Sequence, residues 1–194
     1  MRFDLTDDQH DIKSVARGSL DERAPIATVR DAAERGGGDP NLWREIAALG
    51  WPGIAVAEEH GGQGFDTVTL AVILEGAGYA CLSTPLASTA TVAAVLQACG
   101  SDEQRERWLP PLAAGEVTAG LGLPDLVVDG PDAAVVLIID DGPRLIVDPD
   151  VEAVSAIDPT RPADVALLGG LGGHRRALGR MVAGVDGVVG QRAR

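Results

Sequence analysis

At 194 residues and a net charge of −13, the chain is long enough for one substantial core and too acidic to favour nucleic acid or an anionic membrane surface as its main partner. The apolar fraction of 45% indicates a folded protein, and the longest apolar run, Ala133 to Ile139, falls far short of the roughly 20 residues that span a bilayer. Cys81 and Cys99 lie in segments that read as buried helix, and the polar, acidic start lacks the apolar run of a secretion signal, so a cytoplasmic location with reduced thiols is expected.

Thr6-Asp7-Asp8-Gln9 has the form of a capping box and predicts a helix over 7–20, with Ile12, Val15, Ala16 and Ser19 or Leu20 as its apolar stripe. A looser helix follows over 24–35, broken by Gly36-Gly37-Gly38 and Pro40. The next helix, 41–49, turns Trp43, Ile46, Ala47 and Leu49 to one side and stops at Gly50. A glycine-dense loop then runs from Gly50 to Phe65. Beyond it, 67–80 is so apolar that burial nearly all round is expected.

Ser83-Thr84-Pro85 separates that helix from another over 86–99, which carries Ser88, Thr89 and Thr91. Ser101-Asp102-Glu103-Gln104 is a second capping box, opening a short helix that Pro110-Pro111 is expected to stop. From Val117 the pattern turns extended. Leu126 to Val128, Ala133 to Ile139 and Leu145 to Val147, parted by Asp129-Gly130-Pro131 and Asp140-Asp141-Gly142-Pro143, read as a small antiparallel meander. Residues 151–156 and 165–168 can add strands, with Asp158-Pro159-Thr160-Arg161 as the turn between them. The remainder, 169–194, holds eight glycines and five arginines and is expected to be poorly ordered; its composition also suits out-of-register translation of GC-rich coding sequence.

The loop run Glu58-Glu59-His60 invites an acid/base or metal reading. Adjacent loop residues diverge, however, and no second ligand pair stands at a plausible spacing, so a structural turn is expected, with no metal and no catalytic residue assigned. Trp43, Trp51, Trp108 and Tyr79 are expected in the core.

Several phrases, in order, make the first 120 residues resemble the N-terminal helical domain of the acyl-CoA dehydrogenases. They are Phe3 to Gln9, Leu42-Trp43, Ala48 to Trp51, Glu58 to Gly64, Leu74 to Gly78, and Gly100 to Pro110 followed by Leu112 to Glu116. The resemblance implies a mainly α fold: a helical bundle over 1–118, a shortened antiparallel β unit over 119–168 and a Gly/Arg-rich tail over 169–194. It also implies FAD-dependent α,β-dehydrogenation of a fatty or steroid side-chain acyl-CoA, by proton removal through a glutamate and hydride transfer to the flavin.

The sequence departs from the family pattern in two places. Where the family continues with Thr-Glu-Pro and then Gly-Ser-Asp to hold the flavin, this chain has Pro124-Asp125-Leu126; Leu121 and Leu123 stand at the position of that motif. By the same resemblance, the family's C-terminal helical domain, with the catalytic glutamate and much of the oligomer interface, is expected to be missing. Thr84, Pro85, Ser88 and Thr89 are candidates for lining an acyl channel, the other reading being small residues that let helices pack closely. The chain is therefore expected to be weak or inactive alone, as an acyl-CoA dehydrogenase that forms homo-oligomers, as a non-catalytic subunit paired with a full-length homologue, or as a decayed fragment.

Overall fold

The computed structural model describes residues 4–35, 37–123, 126–139, 142–153 and 165–168. The tail from 169, His174 and the Asp158-Pro159-Thr160-Arg161 turn lie outside the described residues. Six helices come first: α1 (Asp7–Arg23), α2 (Ile26–Glu34), α3 (Pro40–Ala48), α4 (Thr67–Tyr79), α5 (Leu86–Cys99) and α6 (Asp102–Ala113). Strands β1 (Ala119–Leu123), β2 (Leu126–Val128), β3 (Val135–Ile139), β4 (Pro143–Val147), β5 (Val151–Ala153) and β6 (Val165–Leu168) follow.

Both capping boxes form as the sequence predicts. Thr6 Oγ1 accepts from Gln9 N at 3.2 Å while Gln9 Oε1 accepts from Thr6 N at 3.0 Å, and Ser101 and Gln104 repeat the exchange at the start of α6. In α1 the buried stripe is Ala16 and Leu20, with Ile12 beside it; Val15 points outward. The glycine-dense loop folds into two 3-10 turns, Trp51–Gly53 and Glu58–His60, and bonds back on itself through Gln63 N to Gly53 O, Gly64 N to Val56 O and Phe65 N to Ile54 O. Gly62 makes this closure possible: a Cβ there would stand 2.1 Å from Val56 O.

Three expectations about the helices are corrected. First, α6 runs through Pro110 and Pro111 to Ala113, because Leu109 and Leu112 are fully buried and hold the last turn in place. The carbonyls those prolines leave without an amide belong to Glu106 and Arg107, which are exposed to water. Second, α4 is buried on two sides only. It packs on α1, where a Cβ at Gly76 would stand 3.4 Å from Leu20 Cδ1 and Lys13 pairs with Glu75 at 2.7 Å, and on α5, leaving Val68 and Ala71 open. Tyr79 is 73% exposed with the Arg17 guanidinium 4.3 Å from its ring centroid. Third, both cysteines are exposed: Cys99 is the last residue of α5, and Cys81, at φ +51°, lies just past the end of α4.

The strands form one mixed sheet, ordered β4-β3-β1-β2-β6-β5, instead of the expected antiparallel meander. β2 turns back on β1, with Leu123 opposite Leu126, and the chain then crosses to the other edge of β1, so that β3 runs parallel to it. The crossing is fastened by Ala134 N to Thr118 O at 3.0 Å and by Thr118 Oγ1 donating to Asp132 O at 3.1 Å. Period-two alternation sends Val135 and Leu137 of β3 into a core shared with Val92, Leu96, Leu109 and Leu112 of α5 and α6. Val136 and Ile138 face the opposite side with Val127. A separate core lies among α1, α3, α4 and α5, centred on Leu20, Ile46 and Ile73.

Candidate functional site

The site lies where the start of α5, the loop before α3 and the β2–β3 crossing meet. Small hydroxyls join these parts. Ser83 Oγ accepts from Gly38 N at 3.2 Å, Thr89 Oγ1 accepts from Ala119 N at 3.1 Å, and Ser88 Oγ donates to Asp129 Oδ2. All of these side chains are buried, and Asp129 takes its place at φ +58° within the Asp-Gly-Pro turn that the sequence signalled. Ser88 and Thr89 thus act as fasteners between α5 and the sheet.

Thr84 and Pro85 instead line a cavity of about 370 Å³, together with Gly38, Trp43, Thr118 and Asp129. The volume falls within the range of small-molecule sites. Thr84 is 3% exposed, and its Oγ1 is buried without a hydrogen-bond partner. An unmade bond at such a depth costs on the order of 1–3 kcal/mol. Pro85 is the N-cap of α5 and gives it no side-chain cap. The Trp43 ring is held as a wall by its Nε1 donating to Gly115 O at 3.0 Å.

A second cavity, about 480 Å³ and lined in part by Glu116, shares Trp43, Thr118, Pro131 and Asp132 with the first. The two form one groove along the seam. Trp43, Thr118, Asp129 and Asp132 were not singled out by their spacing, because they come from three distant segments that only the fold unites. Trp51 and Trp108 lie in the core as expected. Glu58, Glu59 and His60 sit on a 3-10 turn with Glu59 Oε1 3.8 Å from His60 Nε2, and among the described residues no group of three His, Cys, Asp or Glu is placed to hold a metal.

Leu121 and Leu123 stand on β1. That strand has β3 on one edge and β2 on the other; Leu121 is matched to both Leu137 and Val128, and its side chain packs against the core under α5 and α6. The backbone of Leu121 is therefore in the ladder on both edges, and that of Leu123 on the β2 edge alone. Beyond Leu123 only Pro124 and Asp125 precede the return strand, so the stretch offers no hydroxyl where the family phrase places its flavin-holding groups. FAD does not fit these residues as they stand.

The model of the acyl-CoA dehydrogenase N-terminal domain matches residues 6–116, more than half of the chain. The chain belongs to the acyl-CoA dehydrogenase family. This is a family of oxidoreductase flavoproteins. A relative described as a probable acyl-CoA dehydrogenase, YngJ of Bacillus subtilis, is 34% identical over 127 residues, which make up 63% of this chain and 33% of that protein. IpdE2, an acyl-CoA dehydrogenase of Mycolicibacterium smegmatis, is 30% identical over 143 residues, or 73% of this chain and 45% of the relative. The chain thus spans between about a fifth and a half of the length of the curated relatives it matches. The fold is also that of the ChsE4-ChsE5 complex from Mycobacterium tuberculosis, with a TM-score of 0.73 at 20% identity over 87% of this chain and 56% of that one. Among the described residues no helix is long and apolar enough to cross a membrane.

Proposed function

We propose that the chain binds the acyl portion of an acyl-CoA in the seam cavity and takes part in FAD-dependent α,β-dehydrogenation of that thioester together with a second, flavin-bearing chain of the family. One observation carries the reading: Thr84 and Pro85 line a ligand-sized cavity at the seam, with Trp43 as one of its walls. In this reading the chain holds the acyl group and the second chain holds the flavin.

The chemistry divides accordingly. Abstraction of the α-proton needs a carboxylate beside the thioester, and the hydride needs an acceptor. Among the described residues no glutamate lines the cavity at Thr84, and Glu116 belongs to the adjoining compartment. What this chain's own residues do is position the acyl group: Trp43 and the prolines give apolar walls. The pairing of unlike subunits in the ChsE4-ChsE5 complex supports assembly with a homologue.

The test is a calorimetric titration of the purified chain with butyryl-CoA. Binding with a Kd in the micromolar range, on the order of −8 kcal/mol, is expected. Absence of any heat or bound thioester would overturn the reading and leave a chain that keeps the family fold without its ligand.

A further inference from the structure

The apolar walls of the seam cavity are rings. Among the described lining residues of the compartment at Thr84, the apolar side chains are the Trp43 indole and the pyrrolidines of Pro40, Pro85 and Pro131, with no leucine, isoleucine, valine, methionine or phenylalanine. Each ring stands on fixed backbone. Pro40 is the first residue of α3 and Pro85 the N-cap of α5, two positions where ring closure already sets φ. Pro131 follows Gly130 in a turn closed by Ala133 N donating to Gly130 O at 3.1 Å. The half-buried Trp43 is pinned by its Nε1 bond to Gly115 O, and Gly115, at φ +69°, leaves room for it: a Cβ there would stand 3.4 Å from Trp43 Cζ2 and 2.5 Å from Ala47 Cβ. The indole borders the adjoining compartment as well, so a ligand in either half of the groove meets it.

We propose that the cavity selects acyl groups that carry a ring, an aromatic ring ahead of an alicyclic one, over unbranched alkyl groups of the same carbon number, with Trp43 as the residue that sets the aromatic preference. The inference rests on the acyl-binding reading above and names the substrate class within it. Rigid walls do not reshape around a flexible chain as methionine side chains do, so an alkyl group must freeze its own torsions to match them. A ring arrives with those torsions already fixed. An aromatic ring gains further from the indole, by lying offset-stacked on it or by meeting it edge to face. Burial by area alone favours the opposite order, because an unbranched chain carries more apolar surface than a ring of the same carbon number.

The experiment titrates the full chain with three thioesters of equal acyl carbon number: 3-phenylpropanoyl-CoA, 3-cyclohexylpropanoyl-CoA and nonanoyl-CoA. Each keeps the hydrogens at the α and β carbons that the proposed dehydrogenation removes. The expected order of affinity is the order just given, with the phenyl thioester roughly tenfold tighter than the nonanoyl one. Trp43→Leu is expected to bring the phenyl and cyclohexyl ligands within about twofold of each other, whereas Trp43→Phe, which loses the same Nε1 bond and keeps an aromatic ring, retains most of the difference. Tyr79→Leu, an aromatic lost from the exposed end of α4 outside the groove, leaves it unchanged. Equal affinities for the three ligands, or nonanoyl-CoA as the tightest, would overturn the selectivity and leave acyl binding standing; this order in the unmodified chain decides the proposal even where Trp43→Leu does not fold. A phenyl preference that survives Trp43→Leu in full would overturn the role of Trp43. Failure of every thioester to bind, butyryl-CoA included, would overturn the acyl-binding reading itself and the selectivity with it.

Discussion

Cys81 shows how one residue can hold a conformation that another would hold at lower cost. Past the end of α4 its amide bonds to Gly78 O at 3.1 Å and the next amide, of Leu82, bonds to Ala77 O at 2.9 Å, the double bond of a helix stop that normally places glycine in the left-handed position. A side chain there costs on the order of 1–2 kcal/mol, part of which glycine returns through its freer unfolded state. Cys81→Gly is therefore expected to stabilise the chain by about 0.5–1 kcal/mol in urea unfolding; a loss of stability would show that the thiol makes a contact worth more than the strain. Ser88→Ala acts in the other direction. It removes the buried donor to Asp129 and is expected to cost about 1–3 kcal/mol, read by the same method. Neither effect was legible from sequence. The nearest neighbours of Cys81 look helical, and Ser88 and Asp129 are 41 positions apart. What was legible at this scale was local: the Thr6–Gln9 and Ser101–Gln104 boxes need only three residues' separation, and both form.

At the scale of elements, helix starts were readable and sheet order was not. Asp66 caps α4, and the Thr69 backbone N–H, followed by its hydroxyl, holds the carboxyl below its ordinary range. A depressed carboxylate contributes stability that is fully present above the unfolded-state value, near pH 4, and is lost as pH falls through the folded value. Asp66→Asn is thus expected to flatten the acid side of the stability profile below about pH 5, while an unchanged profile would deny Asp66 that role. The sheet is a different case. Runs such as Ala133 to Ile139 announce strands through their β-branched residues, but nothing in a strand's own composition says which neighbour it will take. The parallel β1–β3 pair arises because the crossing through Asp129 to Ala134 carries the chain past β1, a choice made by the fastening at Thr118 and by burial under α5 and α6. The run of α6 through Pro110 and Pro111 has the same cause, since burial of Leu109 and Leu112 outweighs two missing helix bonds.

At the scale of the whole molecule, the helical part and the sheet meet at a seam, and the seam is where a ligand can enter. Half of the residues first considered for the acyl channel, Ser88 and Thr89, fasten that seam; the other half, Thr84 and Pro85, line its cavity. The family itself was legible because its phrases occur in order along 6–116, whereas the cavity was not, since it draws on segments far apart in the chain. In the proposed function this chain holds an acyl-CoA without holding the flavin. Equilibrium dialysis of the purified chain against FAD and butyryl-CoA together tests it most directly: bound butyryl-CoA approaching one per chain with no bound FAD is the predicted result, and stoichiometric FAD that bleaches when butyryl-CoA is added would contradict it.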